Sequence, residues 1–211
     1  MCRSFFQRYI PAGSTVLDVG AGSCDFINQI RATRRIALDV NPEALRYAAA
    51  GIEVLCLPLE RLAEVIPPES VDVAMASNVF EHLRSTEVLL EVLAALFEVL
   101  RPGGRLIILQ PNVRVLGGRF WDFLDHTLPL TDRAMEEAVT LTGFEVLERR
   151  ARFLPYTTKS RLPKADWLVR LYLAFPPAHL VLGKQMLVVA RRPLRPGVDQ
   201  HSREHDGSSP S

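Results

Sequence analysis

At 211 residues, with 48% apolar and 23% charged side chains, the chain is long enough to bury one continuous core and ordinary enough in composition for a single globular α/β domain. Its formal charge of +1 excludes a global basic field of the kind that draws proteins to nucleic acid. The three cysteines, Cys2, Cys24 and Cys56, and the five scattered histidines show no zinc-ligand spacing, so no metal is expected and a reducing, cytoplasmic setting is the simplest reading. The N-terminal residues lack a basic-then-apolar signal layout, and no apolar run reaches the roughly 18 residues of a membrane span.

In chain order, TVLDVG (Thr15–Gly20) reads as a strand and DFINQIRA (Asp25–Ala32) as a short helix. RRIALDV (Arg34–Val40) is a second strand, and PEALRYAAA (Pro42–Ala50) a helix opened by proline in its first turn. IEVLCL (Ile52–Leu57) is a third strand, followed by a short helical segment around Glu60–Val65; VDVAMAS (Val71–Ser77) is a fourth. Ser85 is placed to cap a helix over Thr86–Leu100, apolar on nearly every side, which stops at Pro102-Gly103-Gly104 before a fifth strand, RLIILQ (Arg105–Gln110). Continuous apolar strands that alternate with helices predict a parallel sheet covered on both faces.

After a loop-rich stretch, Pro111–Leu130, a helix is expected over Thr131–Thr142, ending before Gly143. FEVLERRARF (Phe144–Phe153) and KQMLVVARR (Lys184–Arg192) read as two further strands, separated by an insertion, Leu154–Gly183. Residues 193–211 are polar and rich in glycine, serine and proline, the composition of a disordered tail. One domain over 1–192 is therefore expected.

The segment TVLDVGAGSCDF carries the most chemistry. Gly20 and Gly22 let the backbone turn sharply and approach a ligand with no Cβ in the way. Asp18, two residues before the first glycine, suits a ligand with an ammonium group and is awkward beside a pyrophosphate. Asp39 ends the second strand, roughly 20 residues further on, the spacing of an acid that accepts both ribose hydroxyls. By that geometry alone NAD and S-adenosylmethionine are not separable, and a plain turn role for Asp39 before Asn41-Pro42 is the bland alternative.

VLDVGAGSCDF, ALDVNPEAL, VDVAMASNVFEHL and LRPGGRLIILQPN, in that order, resemble the successive motifs of class I S-adenosylmethionine-dependent methyltransferases. They are most similar to the small-molecule branch that includes the type 11 and type 12 domains. The resemblance runs from about Thr15 to Phe153. It implies a Rossmann-like, doubly wound, mostly parallel seven-stranded sheet, with Lys184–Arg192 as the antiparallel last strand. It also implies S-adenosyl-L-methionine as cofactor. Asp18, Gly20, Ala21 and Gly22 would surround the methionine part, Asp39 the ribose, Val40 the adenine face and Leu57 to Leu59 its edge, while Ser77, Asn78 and Val79 would line the floor beneath the sulfonium. The chain departs from the family at Cys24, where a third glycine is frequent, and near Pro58, where an adenine-binding Asp is missing.

A hydroxyl acceptor must lose a proton, and His82, just after the fourth strand, lies where the family has its active-site mouth; its bland role is to brace the next helix. Asn112 and Arg114, past the fifth strand, and His126, in the following loop, are expected near the acceptor, with a solvated loop as the alternative. Ser77-Asn78-Val79-Phe80 lacks the two prolines of the Asn/Asp-Pro-Pro-aromatic motif of adenine-amino methyltransferases, which argues against a nucleic-acid substrate. The acceptor is read as a small molecule or glycan, methylated on oxygen. The insertion is expected to be a packed cap or dimer contact, or else an interfacial helix that brings residues 159–182 onto a membrane with a lipid-linked substrate. A non-catalytic S-adenosylmethionine-fold binding protein is the competing class, and a dehydrogenase a weaker one.

Overall fold

The computed structural model describes residues 5–156 and 171–195. Seven strands form one sheet in the order β3-β2-β1-β4-β5-β7-β6. They are β1 (Thr15–Val19), β2 (Arg34–Asp39), β3 (Glu53–Cys56), β4 (Val71–Ser77), β5 (Leu100–Pro111), β6 (Glu145–Leu154) and β7 (Gln185–Arg191). The first five are parallel to one another, and β7 runs antiparallel between β5 and β6. All seven expected strands are present, and the doubly wound reading with an antiparallel last strand holds.

Period-two alternation sorts the side chains onto two cores. Leu17, Val19, Leu106, Ile108, Met186 and Val188 face one, where they meet α2 (Leu62–Val65), α3 (Thr86–Val99) and α5 (Asp132–Leu141). Val16, Ile107, Leu109, Leu187 and Val189 face the other, where Phe5, Phe6, Phe26, Ile27, Ile30 and Ala44 of α1 (Ala44–Tyr47) cover them. The Ser85 hydroxyl accepts from the Val88 N–H and so caps α3 as expected. That helix is amphipathic rather than buried all round: Leu89, Val92, Leu93 and Leu96 face inward while Glu87, Glu91 and Glu98 face solvent.

Two further expectations need correction. Residues 25–30 form a run of turns, not a helix. Asn28 explains this: its side chain donates to Tyr47 O and accepts from Ala49 N, both at 2.8 Å, so it ties the segment to α1 rather than continuing a ladder. The fifth strand begins at Leu100 instead of Arg105; residues 101–104 bulge out between the pairs Val71–Leu100 and Val73–Arg105. The middle of the insertion, 157–170, and the tail from 196 lie outside the described residues, as do the expectations placed on them. Within the remainder of the insertion, residues 171–174 are helical and α6 spans Pro176–Leu182. A short α4 spans Val113–Leu116.

Candidate functional site

Strand order reverses between β1 and β4, which opens a crevice beyond their carboxyl ends. Two cavities meet there. The larger, about 720 Å³, is lined by Gly20, Gly22, Asp39, Val40, Asn41, Leu59, Asn78 and Val79, and further out by Glu60, Leu83 and Arg84. The smaller, about 360 Å³, is lined by Glu81, Phe123, His126, Pro155, Tyr156 and Gln185. Asn78, His82 and Asp125 belong to both walls.

The glycine turn is built for closeness on one side and openness on the other. Gly20 has φ +67°, and a Cβ there would lie 2.4 Å from Val79 Cγ2. Gly22, φ +50°, faces open space in the cleft. Cys24 keeps the same left-handed backbone, φ +57°, although it is not glycine, and its side chain is fully buried. The cysteine therefore preserves the turn that a third glycine would make.

Asp39 fastens this turn to β2. One carboxylate oxygen accepts the Gly22 N–H at 2.7 Å and the other the Asn41 N–H at 2.8 Å. Each oxygen keeps a second lone pair for a ligand hydroxyl. Val40, 70% exposed, offers an apolar side chain beside it.

Asp18 is placed differently from its expectation. It is buried and does not line the cleft; it shares the β1 face of Val16, beneath the loop. Burial pushes its carboxyl up to about 7, the Asp39 charge adds to the rise, and the Ile27 N–H opposes it. Ala21, Leu57 and Ser77 are likewise not among the residues that line the cleft. Gly20, Gly22, Asp39, Val40, Leu59, Asn78 and Val79 are brought together on it.

The smaller cavity is closed by a loop folded back on the end of β4. The Thr127 and Leu128 N–H groups donate to Glu81 O at 2.8 and 3.0 Å, and the Thr127 hydroxyl donates to Leu83 O. His126 is thereby carried to His82, ring centroids 5.3 Å apart and edge to face. Each histidine has Nδ1 against a backbone carbonyl: His82 on Asp125 O at 3.0 Å, His126 on Phe120 O at 2.9 Å. Glu81 is buried between them and accepts from the Gln110 side-chain amide at 2.7 Å. Burial pushes its carboxyl up to about 7, held back by its own N–H, by His82 and by Gln110. Asn78, φ +50°, uses the left-handed tolerance of asparagine and accepts from Gln185 at 2.5 Å.

Asn112 and Arg114 are not in this crevice. Asn112 is fully buried, where it caps α4 and donates to Asp132 and to Ala151 O. Arg114 pairs with Asp132 at 3.1 Å and lines a separate groove with Arg150, Arg152 and His179. Asp125, expected with His126 to close over the site from its loop, does line it, whereas Glu60, Arg84 and Tyr156 are site residues that the sequence reading missed; only the folded arrangement and the Arg84–Glu60 pair, 3.2 Å, bring them in.

Residues 17–108, from β1 through β5, match a family model described as a methyltransferase domain. No protein of curated function matches the chain in sequence. Among solved structures, the chain is similar in fold to a SAM-dependent methyltransferase from Archaeoglobus fulgidus (TM-score 0.65, 18% identity, covering 88% of this chain and 89% of that one). It is similar as well to a SAM-dependent methyltransferase from Methanosarcina mazei (TM-score 0.67, 13% identity, 92% and 99% covered). The [4+2]-cyclase SpnF shares the fold too (TM-score 0.62, 18% identity, 88% and 77% covered), so the architecture alone does not fix a reaction.

Proposed function

We infer that the protein is an enzyme transferring a methyl group from S-adenosyl-L-methionine to an oxygen of a small molecule or glycan held in the 360 Å³ cavity. The observation that carries this reading is the meeting of two cavities at Asn78, His82 and Asp125, one suited to a nucleoside and the other to an acceptor. The cleft residues fit the cofactor. Gly22 leaves room, the Asp39 carboxylate accepts hydroxyls, Val40 packs on an aromatic base, and the volume is that of a small-molecule site. When bound, S-adenosyl-L-methionine supplies a methyl group on a positively charged sulfur, open to in-line displacement.

The protein's own contribution is position and exclusion of water. Asn78 and Gln185 fix the wall between the cavities, and Phe123 and Tyr156 cover the acceptor. His82, with Nδ1 engaged by the Asp125 carbonyl, keeps the Nε2 lone pair to activate an acceptor hydroxyl. Asp18 acts from beneath the loop, where it accepts the Ile27 N–H, rather than as part of the cleft wall. Incubation with the cofactor and a panel of phenols, sugars and carboxylic acids, followed by mass spectrometry, should reveal a product heavier by one methylene. A panel that gives no methylated product while S-adenosylhomocysteine binds would favour the non-catalytic binding protein.

A membrane-associated acceptor is a second reading, favoured by one feature. On α6, Leu180, Val181 and Leu182 are all exposed, and Leu180 borders the groove of Arg114, Arg150 and Arg152. Apolar side chains beside arginines suit an anionic lipid surface. Among the described residues no helix is long and apolar enough to cross a membrane, so such contact is peripheral.

A further inference from the structure

We propose that Glu81, His82 and His126 bind a first-row divalent transition-metal cation at the floor of the smaller cavity. One ligand atom from each of the three side chains lies within 4.8 Å of the others. Ligands at about 2.0–2.2 Å from a common ion stand roughly 3–3.5 Å apart, so a contraction of about an ångström closes the set. Two histidines and one carboxylate on one side of an ion form a facial arrangement that leaves further positions open. The nitrogen donors select a borderline ion such as zinc, cobalt or iron(II), because magnesium and calcium prefer shells made of oxygen.

The surroundings of the three side chains are those a metal centre requires. A ligating histidine ordinarily donates its other ring N–H to a carbonyl or carboxylate, which fixes the tautomer and aims the remaining nitrogen. Both histidines do this, at 3.0 and 2.9 Å, and Nε2 of each is the atom left for a ligand. The carboxylate is oriented in the same way by the Gln110 amide, which has no other use for that N–H among the described residues. His126 is only 6% exposed and stacks among Phe120, Phe123 and Tyr156, so its ring cannot swing away. Its Nε2 is 3.4 Å from the Tyr156 hydroxyl, a long contact that a cation can displace. His82 is partly exposed toward the cavity, which leaves a route of entry.

The open positions face the space assigned to the acceptor, and this clause rests on the methyltransferase reading. An acceptor hydroxyl that coordinates there forms an oxygen–metal bond, its O–H bond breaks, and the proton leaves to water through the cavity mouth. The cation's charge then holds the alkoxide or phenolate that attacks. His82 in that case activates the acceptor as a ligand rather than as a base.

Cobalt(II) titration of chelator-treated, full-length protein tests binding without any turnover. Visible ligand-field absorption should grow and saturate at one cation per chain. It should be lost in His126→Ala and in Glu81→Gln, with circular dichroism unchanged, and retained in Cys56→Ser, which removes an exposed thiol. Zinc should raise the thermal midpoint of the wild type and not of those two variants. Absorption that never saturates, or that survives both substitutions, overturns the site. If a variant fails to fold, His82→Gln, on the exposed side, takes its place and must weaken cobalt binding at least tenfold. S-adenosylhomocysteine affinity, measured in parallel on metal-free protein, separates the two ideas: intact cofactor binding without cobalt binding removes the metal site alone.

Discussion

Gly20 and Val79 are in contact across the switch point of the sheet, and no Cβ fits between them: one added at Gly20 would stand 2.4 Å from Val79 Cγ2. Gly20→Ala also forces an L residue to φ +67°. Both effects act at once, so the variant should lose about 2–4 kcal/mol of stability. Gly22→Ala, equally left-handed but facing open space, should lose only about 1 kcal/mol. Urea unfolding of the two variants checks this; equal losses would mean that Val79 moves aside freely.

The buried Asp18 makes stability depend on pH in a definite direction. Its carboxyl titrates near 7 in the folded protein, raised by burial, and near 3.9 when unfolded. Between those values the folded state holds a proton that the unfolded state has lost. The contribution of Asp18 to stability is therefore full below about pH 4 and is lost as pH rises through about 7, by about 4 kcal/mol at most. Asp18→Asn should flatten that decline in the ligand-free protein. A decline that persists in the variant would assign it to other groups.

Activation of the acceptor by His82 predicts that His82→Ala lowers turnover by roughly 10²–10⁴ and leaves S-adenosylhomocysteine affinity nearly intact. A fall of less than about threefold would leave His82 as a brace for the loop that carries Asp125, and methyl transfer as a matter of positioning alone.

What the sequence made legible follows from the range of the interactions involved. The strands declare themselves because β-branched runs such as Val71–Ser77 are local, and the glycine turn because Gly20 and Gly22 need φ values that few other residues tolerate. Asp39 was legible from its place at the end of a strand. His126 beside His82 was not: that pairing depends on two N–H groups finding Glu81 O across a long loop, and no periodicity encodes it. Asn112 and Arg114 misled for the opposite reason. Their position past β5 resembles that of substrate residues, yet the buried Asp132 captures both. The turns at 25–30 were hidden because Asn28, unremarkable in a helical pattern, bonds to a different segment.

Peripheral membrane contact predicts that the protein sediments with anionic vesicles at low salt and less so at high salt, since basic side chains near such a surface contribute about 1 kcal/mol each. The double variant Leu180→Ser and Val181→Ser should stay in the supernatant. Sedimentation that is unaltered by that change, or absent in the wild type, would leave α6 as a surface helix without a lipid partner.

The central claim is that the cleft of Gly22, Asp39 and Val40 binds S-adenosyl-L-methionine, and titration calorimetry with S-adenosylhomocysteine tests it most directly. The wild type should bind it and show negligible heat with NAD. Asp39→Ala should weaken binding by about 1.5–3 kcal/mol, the range for hydrogen bonds to a charged group. Absence of S-adenosylhomocysteine binding, or an affinity unchanged in Asp39→Ala, would contradict the account.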